Sequence, residues 1–206
     1  MEYLWSVVVF AVVSSATPGP NNLMVMTSGV NFGVKRSLPL LAGICIGFSF
    51  MLFLMGIGLG QVFVMFPNLQ LGLKVLGTSY LLYLSWLIAS AEGTGSGDKQ
   101  TKPLGFLKGA MFQWVNAKAW VVALGAVTAF MQGSDVNYLA QALLITAVFF
   151  IASFPSVGVW LWFGSKMTKL LKSEKQRRAF NISMALLLVW SIYPVVRELI
   201  ALIWPA

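Results

Sequence analysis

The residues best suited to chemistry lie in two short polar segments, each placed inside a long apolar run. The first segment holds Thr17, Pro18, Gly19, Pro20, Asn21 and Asn22. Proline removes a backbone hydrogen bond from the preceding turn, glycine relaxes the backbone, and asparagine supplies both donors and acceptors. These properties predict a polar notch whose freed carbonyls and amides bind an ammonium group. The alternative is a simple kink that the amides repair.

The second segment contains Asn116 and Lys118, which lie near the middle of the apolar run 105–131. A lysine about 13 residues from either end of such a run would lie near the centre of a membrane. Charges at that depth are costly and mark functional sites by default. The Lys118 ammonium and the helix N-terminus that follows Pro20 would both attract a carboxylate. A neutral lysine, or one that reaches an interface with its long stem, is the alternative.

The composition explains what surrounds these segments. The chain has 206 residues, of which 58% are hydrophobic and 10% are charged, with a mean hydropathy of +0.82. Soluble domains are about half apolar and a quarter charged, so this chain is predicted to be an all-α membrane protein. Stretches of about 20 apolar residues can cross a bilayer. Six transmembrane helices are predicted, over residues 4–28, 38–66, 69–91, 105–131, 137–165 and 180–204.

The chain divides into two halves of three spans each. Residues 1–91 form the first half, residues 92–104 form a flexible linker that contains Gly93–Gly97, and residues 105–206 form the second half. The connections after spans one, three and five hold 2, 3 and 6 Lys and Arg residues. By the positive-inside rule these connections are cytoplasmic, and both termini face outward. An odd number of spans per half predicts two inverted three-helix repeats, with broken helices 1 and 4.

Other classes of function fit the sequence poorly. The net charge of +8 comes from basic residues in short connections, which orient a protein against anionic lipid and do not form a nucleic-acid surface. The single cysteine, Cys45, lies in an apolar run. Histidine is absent from the chain, and no acid/base or metal-ligand cluster falls within the spans, so we expect neither an enzyme nor a bound metal or cofactor. A channel or passive helical scaffold remains the alternative to a carrier.

The two polar segments resemble motifs of the LysE/RhtB superfamily of bacterial amino-acid exporters. The Pro-Gly-Pro motif is present at residues 18–20, and the Asn-Pro-Lys motif is present as Asn116-Ala117-Lys118, with Ala117 in place of proline. Residues 17–22, 112–118 and the basic loop before Asn181 look like the branch that exports cysteine and O-acetylserine.

The resemblance implies a secondary active exporter of small neutral amino acids in the bacterial inner membrane, working by proton antiport. Its partners would be a small amino acid and the lipid bilayer, and it could form a homodimer. Pro18, Gly19, Pro20, Asn21, Asn22, Asn116 and Lys118 would bind the substrate.

Proton coupling requires a group that can exchange a proton at the site. The carboxylates of this chain all fall in predicted loops or near span ends, so no carboxylate relay crosses the midplane. Desolvation disfavours a charged amine at that depth. We therefore expect Lys118 to exchange its proton as the site alternates, with Asp135 or Glu198 assisting at the outer mouth. The alternative for Asp135 and Glu198 is that they are solvated interfacial charges.

Overall fold

The computed structural model describes residues 2–59, 65, 67–90, 102–131 and 137–203, and every regular element within these ranges is helical. The all-α prediction is therefore confirmed. The linker glycines Gly93–Gly97 and the candidate Asp135 lie outside the described residues. In chain order the elements are α1 (Glu2–Ala16), α2 (Pro20–Leu54), a π-helical turn (Met55–Leu59), α3 (Pro67–Ala89), α4 (Phe106–Val115), α5 (Ala117–Phe130), α6 (Tyr138–Met167) and α7 (Glu174–Ile203).

Helix α2 reverses direction at Gly33. This glycine has φ 75° and ψ 174°, a left-handed conformation that glycine adopts easily. The hydroxyl groups of Ser28 and Ser37 lie 2.7 Å apart, whereas residues nine apart on a straight helix are separated by about 13 Å. The predicted spans 4–28 and 38–66 leave a connection of several residues between them, but the turn needs only one residue because Gly33 supplies it.

Among the described residues, two helical segments contain stretches long and apolar enough to cross a membrane, namely Pro20–Leu59, which folds back at Gly33, and Tyr138–Met167. A third is the bent pair Glu174–Tyr193 and Val195–Ala201, whose axes differ by 44°. Helices α1 and α5 have only 15 and 14 residues, which span about 22 Å of a hydrocarbon core that is about 30 Å thick. Each is therefore short for a complete span.

The close approach of α2 to α4 depends on glycine. A Cβ atom on Gly47 would lie 2.6 Å from the Cα of Ala110, and one on Gly109 would lie 2.7 Å from the Leu40 carbonyl oxygen. Such distances leave no room for a side chain. Small residues at this spacing are how membrane helices bring their backbones together.

The outer surface of the helices is strongly apolar. Trp190, Ile151 and Val121 are each at least 70% exposed. An apolar surface of this extent requires lipid around it. Inside, one cluster of buried side chains joins α2, α3, α4, α6 and α7, and a second joins α1, α2, α5 and α6.

Candidate functional site

The first polar segment interrupts the helix between α1 and α2. Helix α1 ends at Ala16 and α2 begins at Pro20, with Gly19 fully extended between them (φ 175°, ψ 179°). Any residue could adopt this conformation, so the backbone does not require glycine here. The requirement is steric, because a side chain at this position would collide with a neighbour. A Cβ atom on Gly19 would lie 2.8 Å from Cδ and 3.1 Å from Nζ of Lys118. Gly19 therefore makes room for the lysine of the second segment.

Side chains satisfy the carbonyls that the two prolines leave without a helical donor. In a continuous helix, residues 18 and 20 would donate to the carbonyls of Ser14 and Ala16. The Thr17 hydroxyl donates to Ser14 O at 2.9 Å instead. The Trp160 indole N–H, from α6, donates to Ala16 O at 3.0 Å. The break is thus stable because neighbouring side chains replace the missing backbone hydrogen bonds.

Asn22 bridges the same break from its other side. Its Nδ2 donates to the carbonyls of Ser15 and Thr17, both at 2.8 Å. The residue is 3% exposed, and its Oδ1 has no hydrogen-bond partner among the described residues. The asparagine therefore binds the end of α1 with its donors and keeps an unused acceptor.

The second polar segment also breaks its helix. Helix α4 ends at Val115 and α5 begins at Ala117, with the intervening Asn116 in an extended conformation (φ −87°, ψ 104°). The Asn116 Oδ1 accepts from the backbone N–H of Lys118 at 3.2 Å, which caps α5. Ala117 stands where the LysE/RhtB motif has proline. The helix is still interrupted here, because Asn116 caps a new helix that begins at Ala117.

Lys118 joins the two breaks, as the paired motifs suggested. Its Nζ donates to the Thr17 carbonyl at 2.9 Å, to the Thr17 hydroxyl at 2.8 Å and to the Pro18 carbonyl at 3.3 Å. The ammonium is half-buried and lies at the C-terminal end of α1, where the helix dipole favours positive charge. The freed carbonyls were expected to bind the ammonium group of a ligand. In this structure they bind the ammonium group of Lys118 instead.

Beside the lysine, three amide side chains hold the breaks in register. Asn21 donates to Gln113 Oε1 at 2.9 Å and accepts from Gln113 Nε2 at 3.0 Å. Asn116 Nδ2 also donates to Asn21 Oδ1, at 3.3 Å. Gln113 is completely buried, yet it is absent from the predicted site. Its place in the same apolar run, five residues before Lys118, is the signal that could have identified it.

The two breaks border a cavity of about 40 Å³. Its lining includes the polar residues Asn22, Asn116 and Lys118, and also Cys45 and Ser153 together with apolar side chains. Sequence reasoning did not select Ser153, since a lone serine in a long apolar helix carries no signal. A cavity of this size holds a few water molecules, so a larger solute requires the surrounding helices to separate.

The structure brings most of the predicted site residues together. Gly19, Asn21, Asn22, Asn116 and Lys118 line the cavity. Pro18 contributes its carbonyl, and Pro20 is buried at the start of α2. The structure therefore places all seven predicted substrate-site residues in or beside the two breaks.

The second proposed proton-coupling group, Asp135, lies outside the described ranges. Glu198 forms an ion pair with Lys74, which links α7 to α3, and it does not line the cavity. No group of three or more candidate metal ligands occurs in the part of the chain that the structure describes.

Comparison with known proteins gives a consistent family assignment. The Cysteine/O-acetylserine efflux protein of Escherichia coli O1:K1 / APEC is 30% identical over 184 residues, which cover 88% of this chain and 91% of that protein. The protein of the same name from Salmonella choleraesuis (strain SC-B67) is 27% identical over 183 residues, with the same coverage. No solved structure matches the chain significantly.

The profile of the LysE type translocator family matches residues 12–191, which include both helix breaks and most of the 206 residues. Members of this family are integral membrane transporters and not enzymes. The resemblance seen in the two motifs thus extends along nearly the whole sequence, and this chain belongs to the LysE family of translocators.

Proposed function

We propose that this protein is a secondary active exporter of small neutral amino acids or their derivatives, of the class that includes cysteine, O-acetylserine, homoserine and threonine. The family and the names of the relatives support amino-acid efflux. The observation that carries the proposal is the Lys118 ammonium held by three oxygen atoms of a broken helix. An acceptor set that binds one primary ammonium is suited to bind another.

The site offers complementary groups to both ends of a zwitterion. The positive charge of Lys118 attracts the substrate carboxylate during its approach. In the loaded site, the N-terminus of α2 offers the carboxylate backbone donors. The carbonyls of Thr17 and Pro18 accept the substrate ammonium. The proposed substrate site comprises Pro18, Gly19, Pro20, Asn21, Asn22, Asn116 and Lys118.

Competition for these carbonyls supplies a mechanism for proton antiport. Two ammonium groups about 4 Å apart repel by about 4 kcal/mol at an effective dielectric constant of 20, which is about a thousandfold in occupancy. The site therefore holds either the protonated Lys118 or the substrate ammonium. Substrate leaves the cell in one state, and Lys118 carries a proton back in the other. Asp135 is the proposed second proton-coupling group, at the outer mouth.

The proposed arrangement is six transmembrane helices in two inverted repeats, residues 1–91 and 105–206, joined by 92–104. Each break falls in the first span of its half, which is where inverted-repeat carriers place broken helices. The basic residues after spans one, three and five support cytoplasmic connections and outward-facing termini in the bacterial inner membrane. The close contact between the two breaks supports a shared site at mid-depth.

The test is transport by the purified protein in proteoliposomes. Counterflow of labelled cysteine, O-acetylserine, homoserine and threonine would be measured first, followed by net export driven by a proton gradient. We expect saturable exchange of at least one of these amino acids. Flux that does not saturate would instead support a channel, and no flux by folded protein would support a passive scaffold.

Substitutions of the lysine test the coupling. Lys118→Met removes the charge, and Lys118→Arg keeps a charge that is not released at physiological pH. Both variants should lose proton-driven export. Lys108→Met is the matched control, since it removes an exposed lysine that lies outside the cavity, and it should retain coupling. Undiminished proton-driven export by Lys118→Met would refute the mechanism.

A further inference from the structure

At the break between α1 and α2, one buried side-chain acceptor has no hydrogen-bond partner among the described residues. The carbonyls of Ser14, Ser15, Ala16 and Thr17 each receive a side-chain donor. Within the described residues, the buried side-chain acceptor of this break that has no partner is Oδ1 of Asn22. Buried polar atoms are almost always paired in folded proteins, so an unpaired one next to a cavity requires an explanation.

The orientation of this amide is fixed by its own donors. Both N–H groups of Asn22 are used, on the carbonyls of Ser15 and Thr17 at 2.8 Å each. A flipped amide would place its oxygen against two carbonyl oxygens, which repel it. The amide therefore cannot flip to present a donor at this position without losing both hydrogen bonds to the Ser15 and Thr17 carbonyls. Whatever pairs with Asn22 at this edge must bring a donor.

The position of Asn22 separates it from the other unpaired buried groups. Asn22 lines the cavity together with Lys118, whereas Thr27, Gln141 and Thr146, which also carry unpaired buried oxygens, do not. The oxygen is itself buried, so a ligand reaches it only when the surrounding helices separate to admit a solute. Because Asn22 shares the Thr17 carbonyl with the Lys118 ammonium, this oxygen lies next to acceptors already shown to bind a primary ammonium.

We infer that Asn22 Oδ1 accepts an N–H from the α-ammonium of the transported solute and that it makes a free amine a requirement for transport. This inference rests on the proposed function and specifies how that site selects its substrate. Analogues without the amine leave the oxygen unpaired in the loaded site. Discrimination of this kind is strong because an unmade hydrogen bond to a buried group is costly.

The experiment compares cysteine with two analogues in counterflow through the wild-type protein. 3-Mercaptopropionate keeps the thiol and carboxylate but has no amine, and N-acetylcysteine has an uncharged amide in its place. We expect cysteine to exchange with an efficiency at least about tenfold above that of either analogue, the size expected for a charged hydrogen bond. Equal exchange of cysteine and 3-mercaptopropionate would overturn the inference.

A variant then assigns the discrimination to this atom. Asn22→Leu replaces the amide with an apolar side chain of the same branching, so it removes the oxygen together with the two donors, and it should lower the cysteine to 3-mercaptopropionate ratio by about tenfold. A purely structural role would slow both solutes equally and leave the ratio unchanged, which would also overturn the inference. The control is Asn31→Leu, which removes a buried amide outside the cavity and should preserve the ratio.

The wild-type comparison can overturn the inference even if Asn22→Leu does not fold. Absence of any amino-acid exchange by the wild-type protein would refute the proposed function itself. Exchange of amino acids without preference for a free amine would overturn the role assigned to Asn22 and the competition for the Thr17 and Pro18 carbonyls, but would leave amino-acid export standing.

Discussion

Replacing Gly19 with alanine would move the Lys118 ammonium without straining the backbone. Gly19 has an extended conformation that alanine adopts freely. The added Cβ would lie 2.8 Å from the Lys118 Cδ, whereas ordinary contacts between carbon atoms are about 3.6 Å. The lysine stem must therefore retreat by about 0.8 Å.

That retreat is large compared with the tolerance of a hydrogen bond. The three bonds of the ammonium measure 2.8, 2.9 and 3.3 Å, and the bond to the Pro18 carbonyl would exceed the useful limit of about 3.5 Å. Loss of one charged hydrogen bond costs about 1.5–3 kcal/mol. We expect proton-driven export to fall by about tenfold to a hundredfold, with a loss of unfolding free energy of about the same 1.5–3 kcal/mol, because the bond also stabilises the folded structure.

The assay is proton-driven export from proteoliposomes, measured for Gly19→Ala, for Lys118→Met and for the double variant. If alanine acts by displacing the lysine, the double variant should be no slower than Lys118→Met alone. Gly72→Ala is the matched control, since a Cβ at Gly72 meets nothing within 4 Å. Wild-type export by Gly19→Ala, or fully additive losses in the double variant, would refute the reasoning.

Three further substitutions test the surrounding structure. Gly47→Val should lower the unfolding temperature of the detergent-solubilised protein, at a cost of about 1–3 kcal/mol or more, because a side chain there collides with Ala110; stability equal to wild type would contradict the close packing. Asn31→Leu removes two buried hydrogen bonds with Asn181, at 2.9 and 3.2 Å; it should destabilise the protein by about 1–3 kcal/mol, and unchanged unfolding would contradict this. Ser153→Ala removes a hydroxyl from the cavity wall. In counterflow it should lower the preference for cysteine over 2-aminobutyrate by about twofold to tenfold. An unchanged preference would exclude contact between the Ser153 hydroxyl and the substrate side chain.

The sequence was sufficient to locate the breaks because their causes are local. A proline lacks its N–H in any context, so the pair around Gly19 predicts an interruption wherever the chain folds. The expected depth of Lys118 depends similarly on counting apolar residues on either side, and it stays a prediction. These two features selected Gly19, Asn22 and Lys118, which line the cavity.

Features set by tertiary contacts could not be found in this way. Asn21 and Gln113 are 92 residues apart, and only the packing of α2 on α4 shows that their amides pair. The turn at Gly33 was expected to be a longer loop, because Lys35 and Arg36 are polar and resemble a connection. Both are helical in the structure, since a single left-handed glycine is enough to reverse the chain.

The way the first break is stabilised bears on how a carrier could work. Backbone hydrogen bonds within a helix are unaffected when the helix moves as a rigid body, but the Ala16, Thr17 and Pro18 carbonyls at this break are bound by side chains of other helices. Lys118 comes from α5 and Trp160 from α6, so any relative movement of these helices changes which acceptors are available. A solute that supplies an ammonium group to the vacated acceptors would stabilise one arrangement, and the protonated Lys118 would stabilise the other. Alternation then requires only that each arrangement satisfies the same oxygens with a different cation.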